Sequence, residues 1–585
     1  MFEGYTFSVH DIPFGRYGSY LAFFDEGDGA LTIASTHSVL SAVHPASGKP
    51  RSNLLRVSLR WGEEEEPFEI SATPGMVTMT GAHGCAKLCI TEIECVRILS
   101  EQVSVRVEAL TNMHEIAKDR NDGSWEICFM PSWKVMLQPV RGRMIPNAEI
   151  NWLETKTENV HFLFEPENGM AEAAIHLYES NMLTPRVYSG FAGEVEKNER
   201  HFADFLRAVP ELPEKYDRES VLTAYCIWSN MMIPGGMVHS RTMFCSKKMF
   251  ALGMAWHQSY ASIVLCRDPE LAWDLITSIF YHQDPYGMLP DWIKDTERTY
   301  MATKPPIQGF AIQYLLRSGV FDSIPTEKLI WLYDRLEKLH TWWLSFRDTD
   351  QDGIPQYDSG DESGWDDATI FSQGIPVESP DLTTYIIFVE EALSLLAERI
   401  GQQRTAGEWM QKSRTLLDRL ISFFWDGERF TARKNATHEI VPCLSSVSYQ
   451  PLLLGNRLPQ PILDRMIQDL SKEGEYLTPF GFASERLDSP LYRPTSWLAG
   501  SINTAMNFQL ITGLWNSGAK DLAREAAKRF VENAVREYWP FSYDAYTGKR
   551  LNRPSSQQPL TSWMCVFFLG IAGRYLAGEE NNEAG

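Results

Sequence analysis

The densest chemistry in the sequence lies at 348–368, DTDQDGIPQYDSGDESGWDDA. Its first six residues copy the start of a calcium loop, with oxygen ligands at positions 1, 3 and 5 (Asp348, Asp350, Asp352) and glycine at 6. Position 12 is Ser359 where an EF-hand uses a bidentate glutamate, so a carboxylate-rich turn without metal is the competing reading. The second half, GDESGWDDA, gathers Glu362, Asp366 and Asp367 around Trp365. Clustered carboxylates raise one another's pKa, and a carboxyl that stays protonated near neutral pH can act as a general acid. The plainer alternative is a loop that caps the following helix. His257, beside Trp256, has two readings as well: a satisfied core histidine, or a base with an ordinary pKa near about 6.5. His83, Cys85, Cys89 and Cys95 match no standard zinc spacing, and no metal is expected there.

These residues must be positioned by two different textures. From Tyr5 to about Phe164, short alternating runs such as LLRVSLRW and VSVRVEAL are separated by turn clusters such as GDGA, HPASGKP and KDRNDGS. That pattern predicts an antiparallel β-sandwich, with the Glu63–Glu66 run as a solvated hairpin tip. After Pro210 the periodicity becomes helical. Twelve segments begin near Arg218, Ala251, Pro269, Ile307, Pro325, Pro380, Gln403, Ser446, Pro459, Trp497, Gly518 and Leu560. Six helical hairpins close into an (α/α)6 barrel, so the expected domains are 1–210, a sandwich with its linker, and 211–585, the barrel. Long connections fall at 283–306, 348–379, 473–496 and 539–559, and connections of that length in a compact domain are usually functional. Trp342 and Trp343, at the end of one helix, read as core.

DxDxDGxPxY followed by ESGWDD resembles glycoside hydrolase family 63 and its relatives, the mannosylglycerate and glucosylglycerate hydrolases and bacterial processing-glucosidase homologues. IPFGRYGSYLA (12–22), DPYGMLPDWI (284–293), TKPPIQGFAI (303–312), TPFGFASERLDSPLY (478–492) and YDAYTGKR (543–550) agree in the same order. The resemblance spans roughly the whole chain and implies an inverting glycosidase acting on an α-glycosidic bond of a small glycoside or oligosaccharide. It maps the general acid to Asp366. The expected substrate surface draws on Trp256, Trp292, Lys304, Gln308, Glu362, Trp365, Trp497 and Phe541, and Trp292 and Trp365, which lie in the site loops, are the candidates for stacking platforms.

The chain departs from the family at the second carboxylate, which an inverting enzyme needs across the pocket to activate water. The family's glutamate position is Phe541, which accepts no proton. The Trp-Asp pair of the pocket helix appears as Trp256-His257, and a Tyr-Trp-Arg-Gly-Pro block as Ser496-Trp497-Leu498-Ala499-Gly500. Glu485 is the first candidate to replace the base and Asp544 the second, with Glu537 nearby and His257 as a non-carboxylate option; a structural pairing of Glu485 with Arg486 or Arg493 is its alternative. Rival readings are a phosphorylase, which needs no carboxylate base but for which no Arg/Lys cluster is evident in the loops, an isomerase or tailoring enzyme using Asp366 and His257, and a binding protein with a decayed site.

Composition bounds the rest. At 585 residues the chain is sized for more than one domain. A formal charge of -22 repels phosphate backbones and anionic membranes, so neither nucleic acid nor a membrane is an expected partner. No secretory n- and h-region follows Met1, and the nine cysteines are odd in number and scattered; the expectation is a cytoplasmic protein with reduced thiols, in which the Asn435-Ala-Thr437 sequon carries no sugar. The 18 Trp, 22 Tyr and 30 Phe suit both a crowded core and sugar stacking.

Overall fold

The computed structural model describes residues 2–37, 53–110, 116–129, 133–248, 250–551 and 560–577. The turn cluster expected at 44–50 and the stretch 552–559 of the last long connection lie outside them. The described residues form two compact units. The first holds 1–206 together with 224–233 and 244–251; the second holds 207–223, 234–243 and 252–585. A single cut at 210 therefore does not divide the chain, because two later segments make their contacts with the first unit.

In the first unit, two eight-stranded antiparallel sheets account for the alternating texture. Within Ser104–Ala109, Val105 pairs with Leu59 and Phe164, and Val107 with Val57 and Phe162. All six are buried while Arg106 between them is half-buried, so one face of the strand makes the core. The Glu63–Glu66 tip is solvated only in part. Glu66 turns inward, and His83 Nδ1 meets its Oε2 at 3.0 Å.

The second unit is an (α/α)6 barrel whose two rings differ in burial. Ala255–Val264, Gln308–Arg317, Pro380–Arg399, Ser446–Arg457, Thr504–Asn516 and Ser562–Tyr575 touch one another in sequence, and the last returns to the first. They are the inner ring: all ten residues of Ala255–Val264 are buried, the polar Gln258, Ser259 and Ser262 making buried hydrogen bonds. Between them run amphipathic helices such as Thr326–Phe346, which buries Leu329, Leu332, Leu336, Leu339 and Trp343 and exposes its other face. Trp342 and Trp343 are core, as expected.

The helix starts follow the expected series with three physical departures. The segment expected from 251 begins at Ala255, because Gly253–Met254 pairs as a strand with Trp292–Ile293. The segment expected from 497 begins at Thr504, because Ile502–Asn503 pairs with Ser542–Tyr543. Ser446–Arg457 is a 3-10 run kinked at Gly455 and carrying Pro451. No helix among the described residues is long and apolar enough to cross a membrane.

A connection leads into each inner helix at its N-terminus. Ser445 Oγ, Asn503 Oδ1 and Thr561 Oγ1 cap three of them. Asp366, Glu485, Phe541 and Asp544 sit on these connections, and Trp256, His257 and Gln308 in the first turn after them.

Candidate active site

The loop before Pro380–Arg399 is locked from several sides. Ser359 Oγ caps the short turn Gly360–Ser363 by accepting from Glu362 N. Glu362 is 2% exposed; its Oε1 accepts from Arg347 Nη2 at 2.7 Å and its Oε2 from Asp358 N at 2.8 Å. Gly364 adopts φ +72°, and a Cβ there would lie 2.9 Å from the Trp256 ring, so glycine is required both for conformation and for space. Trp365 Nε1 donates to Asp381 Oδ2 at 3.1 Å, and the Tyr357 hydroxyl donates to the same oxygen at 2.9 Å. Asp367 accepts from Trp497 N at 2.9 Å and Leu498 N at 2.8 Å, one amide on each oxygen, and so ties the next connection to this one.

With its neighbours held, Asp366 faces solvent. Enough protein surrounds it that its carboxyl is pushed up to about 6, burial being the main cause, opposed by the Lys304 cation and reinforced by Asp361 and Asp367. Water contact combined with dense surroundings is the signature of a residue lining a concave site. Lys304 is 8% exposed. Its Nζ donates to the main-chain oxygen of Asp361, to Asp361 Oδ1 at 3.0 Å, and lies 3.8 Å from Asp291 Oδ1. Asp291 is also pushed up to about 6 by burial, against the pull of Lys304. The site is thus a set of acids around one buried ammonium group.

Residues 253–558 match the family described as the mannosylglycerate hydrolase MGH1-like glycoside hydrolase domain. The chain belongs to this family. No curated protein matches it. Among solved structures it is similar to the GH63 mannosylglycerate hydrolase of Thermus thermophilus in complex with Tris and D-glycerate, at 16% identity and a TM-score of 0.51, over 60% of this chain and 98% of that one. It is also similar to a bacterial glucoamylase complexed with acarbose, at 10% identity and a TM-score of 0.59, over 98% and 94%. At these identities the likeness is one of fold.

Against the family pattern, the structure places the remaining residues as follows. Phe541 and Trp497 stand as an aromatic pair with ring centroids 5.3 Å apart, both half-buried. Trp292 is half-buried in the hairpin beside Met254. Trp256 is buried, with its ring against Trp365 at 4.9 Å. Gln308 is 2% exposed, and its Oε1 has no partner among the described residues. His257 stacks on Trp563 at 3.8 Å and is pushed down to about 3 by burial and by Lys304, which keeps it neutral. Two expectations need correction. Trp365 is 1% exposed and bonded to Asp381, so it positions the loop and offers no face to a sugar. Glu362 is consumed by Arg347 and cannot contact a substrate.

Glu485 is fully buried, with Oε1 accepting from Ser489 Oγ at 2.5 Å and Leu444 N at 3.1 Å and Oε2 from Thr369 Oγ1 at 2.5 Å. Asp544 Oδ1 accepts from the amides of Tyr546 and Thr547 and closes an exposed turn. Glu537 Oε2 accepts from Arg550 N. Sequence reasoning gave no role to Asp291, Asp361 and Asp381. Asp291 stands in a quoted motif, but its burial arises from strand pairing that no local pattern announces.

At the start of the same loop, one oxygen from each of Asp348, Asp350 and Asp352 lies within 4.8 Å of the others, and Asp350, Glu378 and His438 meet the same criterion. Asp348 Oδ2 accepts from Gly353 N at 2.9 Å, and Gln351 and Gly353 take the left-handed conformations that fold the turn. Asp348 Oδ1, Asp350 Oδ1 and Glu378 Oε2 are buried without partners among the described residues. An oxygen-rich donor set with orphaned lone pairs fits a hard divalent cation.

Proposed function

We propose that the barrel hydrolyses an α-glycosidic bond of a small glycoside or oligosaccharide with inversion at the anomeric carbon. Asp366 donates its proton to the leaving oxygen. The observation that carries this reading is the acid loop: Asp366 alone is turned to solvent with a raised pKa, while Trp365, Asp367 and Glu362 are spent on holding it. A carboxyl of pKa near 6 retains a protonated fraction close to neutrality, as a general acid requires. Lys304 supports the loop through Asp361, and Trp497 with Phe541 offers apolar area for a sugar face.

We also propose calcium at Asp348, Asp350 and Asp352, with Glu378 completing the oxygen set. Its role is to stiffen the stem of the acid loop; no step of the reaction passes through it.

The test is release of free sugar from a panel of α-glucosides, α-mannosides and glycosylglycerates by the wild type and by Asp366→Asn. The expected loss in the variant is at least about 100-fold on substrates with poor leaving groups, and smaller on glycosyl fluorides, which need no proton. Unchanged activity in the variant rejects the assignment. Cleavage that requires inorganic phosphate turns the reading to a phosphorylase.

A further inference from the structure

An inverting glycosidase needs a carboxylate that takes a proton from the attacking water, and Phe541 cannot. This inference rests on the proposed reaction and asks which carboxylate of this chain has a free oxygen to do so. Three acids interact electrostatically with Asp366: Asp361, Asp367 and Asp291. Asp367 has both oxygens on backbone amides. Asp361 is tied to Lys304 through its side chain and its main-chain oxygen. Asp291 differs from both. It is 5% exposed, and its Oδ1 accepts no hydrogen bond among the described residues, Lys304 Nζ standing beyond hydrogen-bond reach at 3.8 Å. Its backbone is fixed on both sides, Asp291 N donating to Thr299 O at 2.9 Å and its carbonyl accepting from Ala255 N at 2.8 Å.

Of the other acids considered for the role, Glu485 has three donors on its two oxygens, and Asp544 is half-buried and uses its Oδ1 to close an exposed turn. A buried acceptor without a donor costs free energy unless water or a ligand supplies one. From the orphaned Oδ1, the pinned backbone and the shared ammonium of Lys304, we infer that Asp291 is the general base of this chain. As the water oxygen bonds to the anomeric carbon and the glycosidic C–O bond breaks, the water's proton passes to Asp291 and the proton of Asp366 to the departing oxygen. The sugar leaves as the hemiacetal of opposite configuration. Burial favours the role, since a carboxylate held near 6 is a stronger base than an ordinary one and remains largely ionised at pH 7.

The experiment uses the full chain and whichever glycoside of the panel the wild type cleaves. Asp291→Asn should lower kcat by at least about 100-fold while KM changes little, and Asp291→Ala with sodium azide should regain turnover and release the glycosyl azide of inverted configuration. Circular dichroism and thermal unfolding of both variants check that they fold, and the isosteric Asp291→Asn serves if the alanine variant does not. Activity of Asp291→Asn within tenfold of wild type overturns the assignment. So does a loss expressed mainly in KM, with no azide product. If Asp366→Asn is inactive while Asp291→Asn works, this inference fails and the proposed reaction stands; a wild type silent on the whole panel fells both.

Discussion

At the scale of residues, the site depends on how one buried cation is shared. Lys304 lies among Asp291, Asp361 and Asp366, and its charge draws down the pKa of both Asp291 and Asp366, which burial alone would leave higher still. His257 faces the same cation and is held neutral by it and by burial. Replacing the ammonium by an apolar group of similar length, Lys304→Met, removes this opposition. Both carboxyls then release their protons at higher pH, so both limbs of the profile of kcat/KM against pH are expected to move upward, with a fall in the plateau because Asp361 loses its anchor. Lys304→Arg keeps the charge and should keep the limbs in place. A plateau that falls without any shift of the limbs would show that Lys304 only positions the loop. Phe541 belongs to the same scale: its ring pairs with Trp497 at 5.3 Å, and on the proposed reaction a base must come from another residue.

At the scale of elements, what could be read from the sequence was what local pattern determines. The inner helices are buried on every side and the outer ones on one side, so twelve segments are countable before any coordinates, whereas the loop of glycine, tryptophan and paired aspartates reads equally as a helix cap until the family resemblance is added. Two kinds of fact stay hidden. The delayed starts at Ala255 and Thr504 follow from two-residue strand pairings with distant connections, too short to show alternation. The fates of Glu485, Trp365 and Asp291 depend on partners about 116, 16 and 13 positions away, and residue type alone cannot tell a carboxylate with every lone pair used from one with an oxygen free. The turn at 348–353 lies between these cases, since its three aspartates are legible while Glu378 and His438 arrive through the three-stranded sheet of Gln356–Tyr357, Val377–Glu378 and Arg433–Lys434. Added calcium is expected to raise the unfolding temperature, by the equivalent of about 2.7 kcal/mol at a concentration a hundredfold above Kd, and a chelator to lower it. Asp350→Asn should abolish both responses. No shift in the wild type by scanning calorimetry would leave a carboxylate-rich turn without metal.

At the scale of the whole molecule, the carboxyls that serve the site also set how stability depends on pH. Asp291, Asp366 and Asp381 are each held near 6, chiefly by burial, against about 3.9 in an unfolded chain. Between those values the folded protein binds protons that the unfolded chain has released, so this contribution is fully present below about 4 and is lost as pH rises through about 6. The net charge acts in the same direction, because a chain of formal charge -22 with an isoelectric point near 5.1 repels itself less as pH falls toward 5. Opposing groups enter lower down. Glu66, Glu126 and Asp350 are held below their ordinary range by His83, Lys118 and His438, and what they contribute is lost on acidification below about 4. The unfolding temperature is therefore expected to rise from about pH 7.5 to about 5.5 and to fall again below about 4. Scanning calorimetry across that range checks it, and the variant separates the two causes of the rise. Asp381→Asn leaves the general charge nearly unchanged but removes one of the three site carboxyls, so it should flatten the upper limb. A rise of the same steepness in that variant would assign the effect to net charge alone, and a temperature that stays level or falls between pH 7.5 and 5.5 would contradict the raised carboxyls on which the proposed acid depends.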